Sequence, residues 1–206
     1  MTSSIFARMW PRMRQTLDRR GMTDHRRALL AGLTGQVLEV GAGDGANFAH
    51  YPPTVTRVLA VEPEPRLRNL AAEAAARAPV SVEVSDASAG RLPAPDGGVD
   101  TVVFCLVLCT VPDIDAALAE ARRVLKPGGQ IRFLEHGRAD SAGLVRFQRA
   151  LDATVWPPLA GGCHTSRDIV TAVEGAGFTI VDLRRYNFPP VRTPWSFYAR
   201  GSATVG

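Results

Sequence analysis

From residue 36 onward, short apolar runs alternate with stretches of helical periodicity. Residues 37–40 form an apolar run stopped by glycines, and residues 57–61 and 80–84 form two more. Residues 99–108 are continuously apolar apart from Asp100 and Thr101, as expected of a central parallel strand covered on both faces. Residues 131–135 make a fifth run, and residues 178–183 and 195–200 flank a loop holding Pro189, Pro190 and Pro194. Between the runs, residues 65–78 are alanine-rich and helical, and residues 113–125 are amphipathic, closed by Lys126-Pro127-Gly128-Gly129. A further helix is expected near Ser166. Alternating strands and helices imply right-handed crossovers and an open, doubly wound parallel α/β sheet, with the last two strands as a hairpin-like pair at one edge.

Ahead of this pattern lies a leader of two helical stretches, residues 3–33, broken near Gly21. Ile5, Phe6, Met9, Trp10, Met13 and Leu17 recur at helical spacing with arginines between them, and Pro11 is expected to start or kink that helix. The second stretch runs over residues 24–33, with Thr23 or Asp24 as its cap. The chain thus divides into a helical N-terminal extension, residues 1–35, and an α/β domain, residues 36–206.

Glu39-Val40-Gly41-Ala42-Gly43-Asp44-Gly45 falls between the first strand and an expected helix, where an open α/β sheet binds its ligand. The spacing Gly41-x-Gly43-x-x-Ala46 also satisfies a relaxed dinucleotide fingerprint. The surrounding acids choose between cofactors. Glu39 would oppose a pyrophosphate but accept bonds from an ammonium, Glu62 ends the second strand in position for a ribose diol, and Asp86-Ala87 ends the third, in position for an adenine amine. Together these describe a ligand with adenine, ribose and an amino-acid tail but no phosphate, which S-adenosylmethionine fits.

Residues 37–129 resemble a class I S-adenosylmethionine-dependent methyltransferase. The resemblance is carried by Glu39-x-Gly41-x-Gly43-x-Gly45, Glu62, Asp86-Ala87, Leu92-Pro93-x-x-Asp96-Gly97-x-Val99-Asp100 and Leu125-Lys126-Pro127-Gly128-Gly129. It implies a seven-stranded, mostly parallel Rossmann-like sheet whose last strand is antiparallel. It also implies cofactor contacts at Glu39, Gly41, Gly43, Gly45, Glu62 and Asp86, with the adjoining Ala42, Asn47, Pro63 and Ala87. Cys105 and Leu106, just after Phe104, complete the set. Narrower phrases, Gly45-Ala46-Asn47-Phe48-x-x-Tyr51-Pro52, Leu106-Val107-Leu108-Cys109-x-Val111, Phe133-x-Glu135-His136 and Gly162-Cys163-His164-x-x-Arg167, resemble the methyltransferase-like proteins that methylate small alkyl thiols. Bacterial relatives labelled as ubiquinone or menaquinone biosynthesis methyltransferases share much of this pattern. The animal members carry an apolar N-terminal anchor where this chain has a basic amphipathic leader.

A thiol with a pKa near ~8.5 is partly ionised in neutral solution, so a histidine suffices as its base. His136 follows the fifth strand and His164 lies in a glycine turn, and either is expected to orient or deprotonate the acceptor. Cys163 reads as a small packing residue, and Cys105 and Cys109 as core. Trp10, Phe48, Tyr51, Trp156 and Trp195 are candidates for the wall of an apolar acceptor pocket.

Composition narrows the partners. Residues 1–35 carry seven arginines and two aspartates, so the rest of a chain with net charge +4 is close to neutral. A neutral body speaks against nucleic acid, and no apolar run is long enough to span a bilayer. Three cysteines suit a reducing, cytoplasmic setting, and no metal is expected. The leader is read as a lid over the pocket, with weak contact to an anionic membrane surface as the alternative. The overall expectation is methyl transfer from S-adenosylmethionine, with S-adenosylhomocysteine as product, to a small apolar acceptor, a thiol first. Quinone-ring C-methylation and phospholipid N-methylation are the alternatives, and a nicotinamide-dependent oxidoreductase is the remote one.

Overall fold

The computed structural model describes residues 4–205. Ser3, where the first leader helix was expected to begin, lies outside them. Seven strands, β1 (Gly35–Val40), β2 (Val55–Val61), β3 (Val82–Ser85), β4 (Val99–Cys105), β5 (Leu125–His136), β6 (Phe178–Asn187) and β7 (Phe197–Val205), form one sheet in the order β3-β2-β1-β4-β5-β7-β6. Pairing is parallel from β3 to β5, and β7 is inserted antiparallel to both β5 and β6. The expected edge hairpin is present. Its strands are longer than the local pattern indicated, because the ladder continues from Phe178–Val205 to Asn187–Phe197.

Helices cover both faces. α1 (Ser4–Leu17) and α2 (Thr23–Leu30) belong to the leader, and α3 (Pro65–Ala75) follows β2. α4 (Ile114–Val124) joins β4 to β5, and α5 (Ala142–Asp152), α6 (Trp156–Leu159) and α7 (Ile169–Gly175) precede β6. Side-chain caps start three of them: Glu64 accepts from Leu67 N at 2.7 Å, Asp113 from Ala116 N at 2.9 Å, and Asp168 from Thr171 N at 3.3 Å. α4 buries Ala117, Leu118, Ala121 and Val124 along a single face.

Strand alternation distributes the core to the two faces. Leu38, Val40, Val102, Phe104, Ile131 and Phe133 pack with α4 and α7. Val37, Val103, Cys105 and Leu134 pack on the other face, against Met22, Leu29, Leu30 and Leu33. The second half of the leader is therefore part of the main core. Each such side chain contributes roughly 1.5–3 kcal/mol on burial.

Two local expectations are corrected and a third holds. α1 runs through Pro11, its eighth residue, instead of starting there, and forgoes the one helical bond that the missing N–H would make. The leader does break at Gly21, whose φ of +110° only glycine adopts readily, within a π-helical turn, Asp18–Met22. After β1 no full helix forms. The chain makes consecutive turns and a single 3-10 turn, Phe48–His50, before Pro52 and Pro53.

Candidate active site

The parallel register brings the strand ends to one edge, with Val40 opposite both Val61 and Phe104, Val61 opposite Ser85, and Cys105 opposite Leu134. Gly41, Glu62, Asp86 and Leu106 consequently stand just beyond four neighbouring strands, with Glu135 and His136 ending the fifth.

Gly41 has φ +65°, and a Cβ there would stand 2.4 Å from the Val107 side chain, so the turn after β1 accepts only glycine. Beneath it lies Glu39, only 2% exposed. Its carboxylate accepts from Asn47 Nδ2 at 2.8 Å and from Tyr51 Oη at 2.6 Å. Burial pushes this carboxyl up to about 7, against the pull of those two bonds and of Arg26. Asn47, expected among the cofactor contacts, makes no side-chain cap and links Glu39 to Arg26 Nη1, which it meets at 3.0 Å. Glu62 accepts from Gly43 N at 2.8 Å and Glu64 N at 2.9 Å, and its carboxyl too is raised, chiefly by burial. Each oxygen of both acids keeps a lone pair for a ligand.

The remaining expected contacts are less enclosed. The Asp86 side chain is 67% exposed and pairs with Arg68 at 3.1 Å. Pro63 is exposed, while Ala87 packs against the core. β4 ends at Cys105, earlier than the apolar run suggested, because Leu106 takes φ +61°. That conformation costs a non-glycine residue roughly 1–3 kcal/mol. What compensates is Glu135, fully buried, which accepts from Val107 N and Leu108 N at 2.9 Å and from Cys109 N at 3.1 Å. Sequence reading missed this role. The signal was an ionisable residue directly after the buried Phe133 and Leu134, one place before the end of the strand.

On the acceptor side, the structure separates the two histidines. His136 Nδ1 lies 3.3 Å from Cys163 Sγ and Nε2 bonds the Trp195 carbonyl, so both ring nitrogens are engaged. Cys163 is more than packing. A bond from Cys109 first, and the neighbouring His136 with it, draw its thiol down to about 5 against the effect of burial. Burial, the largest single influence, disfavours the His136 cation, but Cys163, the Trp195 carbonyl and Glu135 together outweigh it and raise the imidazole. His164 Nδ1 instead bonds the Gly162 carbonyl at 2.8 Å, while Nε2 has no partner among the described residues. Donation from Nδ1 leaves Nε2 as the basic nitrogen. Of the expected aromatic wall, Phe48 and Tyr51 are core, whereas Trp156 and Trp195 stack at 5.5 Å beside His136.

The leader crosses this edge. A Cβ on Gly43 would stand 3.1 Å from Trp10 Nε1, and one on Gly161 would stand 2.6 Å from the Phe6 ring. Arg14 holds Asp44 through two bonds of 3.0 and 2.9 Å, and also Asp18 at 2.8 Å. Arg26, 3% exposed, reaches Asn47 and the Cys105 sulfur. Two buried polar atoms in this cluster, Arg26 Nη2 and Asp44 Oδ1, have no partner among the described residues. A cradle of carboxylates with an orphaned guanidinium nitrogen suits a zwitterionic amino-acid tail and ribose, and does not suit a pyrophosphate.

Residues 38–133 match the methyltransferase domain family. The chain is 36% identical over 164 residues to human thiol S-methyltransferase TMT1A, covering 77% of this chain and 67% of that protein. It is 37% identical over 105 residues to the ubiquinone/menaquinone biosynthesis C-methyltransferase UbiE of Caulobacter vibrioides, covering 51% and 38%. The N-methyltransferase NodS of Bradyrhizobium japonicum, solved with S-adenosyl-L-homocysteine, superposes with a TM-score of 0.66 at 18% identity, over 91% of this chain and 86% of that one. The chain belongs to the class I S-adenosylmethionine-dependent methyltransferases. Its methyl donor is S-adenosylmethionine and its product S-adenosylhomocysteine.

Proposed function

We propose that this methyltransferase acts on a small apolar thiol. The observation that carries the reading is the reach of the similarity. It extends over 77% of the chain with thiol S-methyltransferase TMT1A, but over 51% with the C-methyltransferase UbiE. When bound, S-adenosylmethionine supplies a methyl group activated on a positively charged sulfur. Glu39 holds the ammonium of its tail, and Glu62 the ribose hydroxyls. Gly41, Ala42, Gly43, Gly45 and Asn47 shape the floor. Pro63, Asp86, Ala87, Cys105 and Leu106 border the adenine side. The loop from Leu106 to Cys109, tied down by Glu135, lies between this site and the acceptor.

His164 Nε2 takes the acceptor proton, a modest task for a thiol with a pKa near ~8.5. His136 orients the acceptor side through Cys163 and Trp195. Trp156 and Trp195 provide an apolar wall. α1 acts as a lid, excluding water while donor and nucleophile align, and alignment of this kind can supply roughly 7–11 kcal/mol.

An acceptor screen with isotopically labelled donor tests the reading, comparing alkyl thiols, a demethylquinone and phosphatidylethanolamine. Thiols are expected to be labelled at least tenfold faster than the others. Preferred labelling of the quinone ring would replace the thiol reading with the C-methylation that the similarity to UbiE favours. His164→Ala is expected to lower kcat by about 100-fold while leaving S-adenosylhomocysteine affinity unchanged, within the 10²–10⁴-fold range of general-base catalysis.

A further inference from the structure

Arg26 sits in α2, in a leader whose charge gives no reason to bury it. It is nonetheless 3% exposed, and its neighbours are those of the cofactor cradle. Nη1 donates to Asn47 Oδ1 at 3.0 Å and to Cys105 Sγ at 3.1 Å, and Nε donates to Asp18 at 3.3 Å. Asn47 in turn donates to Glu39 at 2.8 Å, so one amide separates the guanidinium from the carboxylate beneath the glycine turn. Nη2 is buried without a partner among the described residues, although its two N–H groups require acceptors. Asp18 cannot satisfy Arg26 alone, because its other oxygen is taken by Arg14 at 2.8 Å. An arginine buried with one nitrogen idle is costly unless an acceptor arrives, and the two N–H groups of Nη2 suit an anionic oxygen such as a carboxylate's.

We propose that Arg26 binds the carboxylate of the donor's amino-acid tail, so that the leader completes the cofactor site. Glu39 and Arg26 then form a complementary pair for a zwitterion, the carboxylate taking the ammonium and the guanidinium taking the carboxylate. Asn47 fixes the spacing between them. The proposal rests on the donor stated above and adds a residue outside the glycine-turn motif.

Calorimetry on the full chain tests it with three ligands: S-adenosylhomocysteine, its decarboxylated analogue, and 5′-methylthioadenosine, which lacks the whole tail. The wild-type chain is expected to bind S-adenosylhomocysteine about 30-fold more tightly than the decarboxylated analogue, the scale of a hydrogen-bonded charge pair. Arg26→Gln should erase that discrimination while changing affinity for 5′-methylthioadenosine by less than twofold, and Arg26→Lys should restore part of it. Equal affinity of the wild-type chain for the first two ligands would overturn the proposal without any variant being needed. So would a uniform loss across all three ligands in Arg26→Gln, which marks a purely structural arginine. If S-adenosylhomocysteine failed to bind the wild-type chain at all, the donor assignment itself would fail, a result separable from the others.

Discussion

Glu39 and Glu135 are both fully enclosed and both raised to about 7 by burial, yet they do different work. Glu39 must be ionised to hold an ammonium. Affinity for S-adenosylhomocysteine is therefore expected to rise with pH, by up to about tenfold per unit below 7, and to level off above it. Calorimetry between pH 5.5 and 8.5 checks this, and Glu39→Gln should flatten the profile. The sign for stability is opposite. A carboxyl raised in the folded state contributes stability that is complete below about 4.5 and is lost as pH climbs through about 7. The ligand-free protein should therefore melt at lower temperature at pH 8 than at pH 5, with part of the difference absent in Glu39→Gln. Glu135 is a scaffold, since it receives three backbone N–H groups that would otherwise be buried unpaired. Glu135→Gln offers one acceptor oxygen and two unwanted donors, and is expected to cost roughly 1–3 kcal/mol in urea unfolding. Glu39 is readable from its place before a glycine turn. Glu135 is not, because three consecutive amides converge on it only after Leu106 has turned the chain back.

The two leader helices separate into different roles. α2 buries Leu29 and Leu30 in the core, whereas α1 covers the edge with Phe6, Trp10 and Arg14 and leaves Ile5, Met9 and Met13 facing outward. Removal of residues 1–17 should leave a folded protein, while removal of residues 1–30 should not, as circular dichroism will show. Trp10→Ala, which opens the cover over Gly43, is expected to lower turnover by about tenfold or more through loss of alignment and admission of water. Met9→Glu, on the outer face, should leave turnover on a water-soluble thiol within twofold. If Met9→Glu instead abolished binding to anionic vesicles, that face would be the membrane contact. The helical periodicity of α1 was legible, but not which stripe faces inward, because arginines occur on both sides and only Asp44 decides. Likewise, the turn after β1 was legible from its glycines. The absence of a following helix was not, since Asn47 and Tyr51 are spent on Glu39 and no side chain caps a helix there.

Across the molecule, the doubly wound α/β class and the identity of the donor were both accessible from one-dimensional pattern. Apolar runs spaced by helical stretches allow few un-knotted parallel sheets, and a glycine turn flanked by Glu39 and Glu62 favours an amino-acid tail and ribose over linked phosphates. Among the described residues no helix is long and apolar enough to cross a membrane. Local sequence carries such information because turn chemistry and side-chain period act over only a few residues. The pairing of His136 with Cys163, the convergence of Glu135 on the loop after β4, and the burial of Arg26 beside Asn47 join groups 21 to 28 positions apart in the chain. No short-range rule specifies such partners. Packing on both faces of the sheet brings them together, and burial then gives each of them the charge and hydrogen-bonding demand from which its chemistry follows.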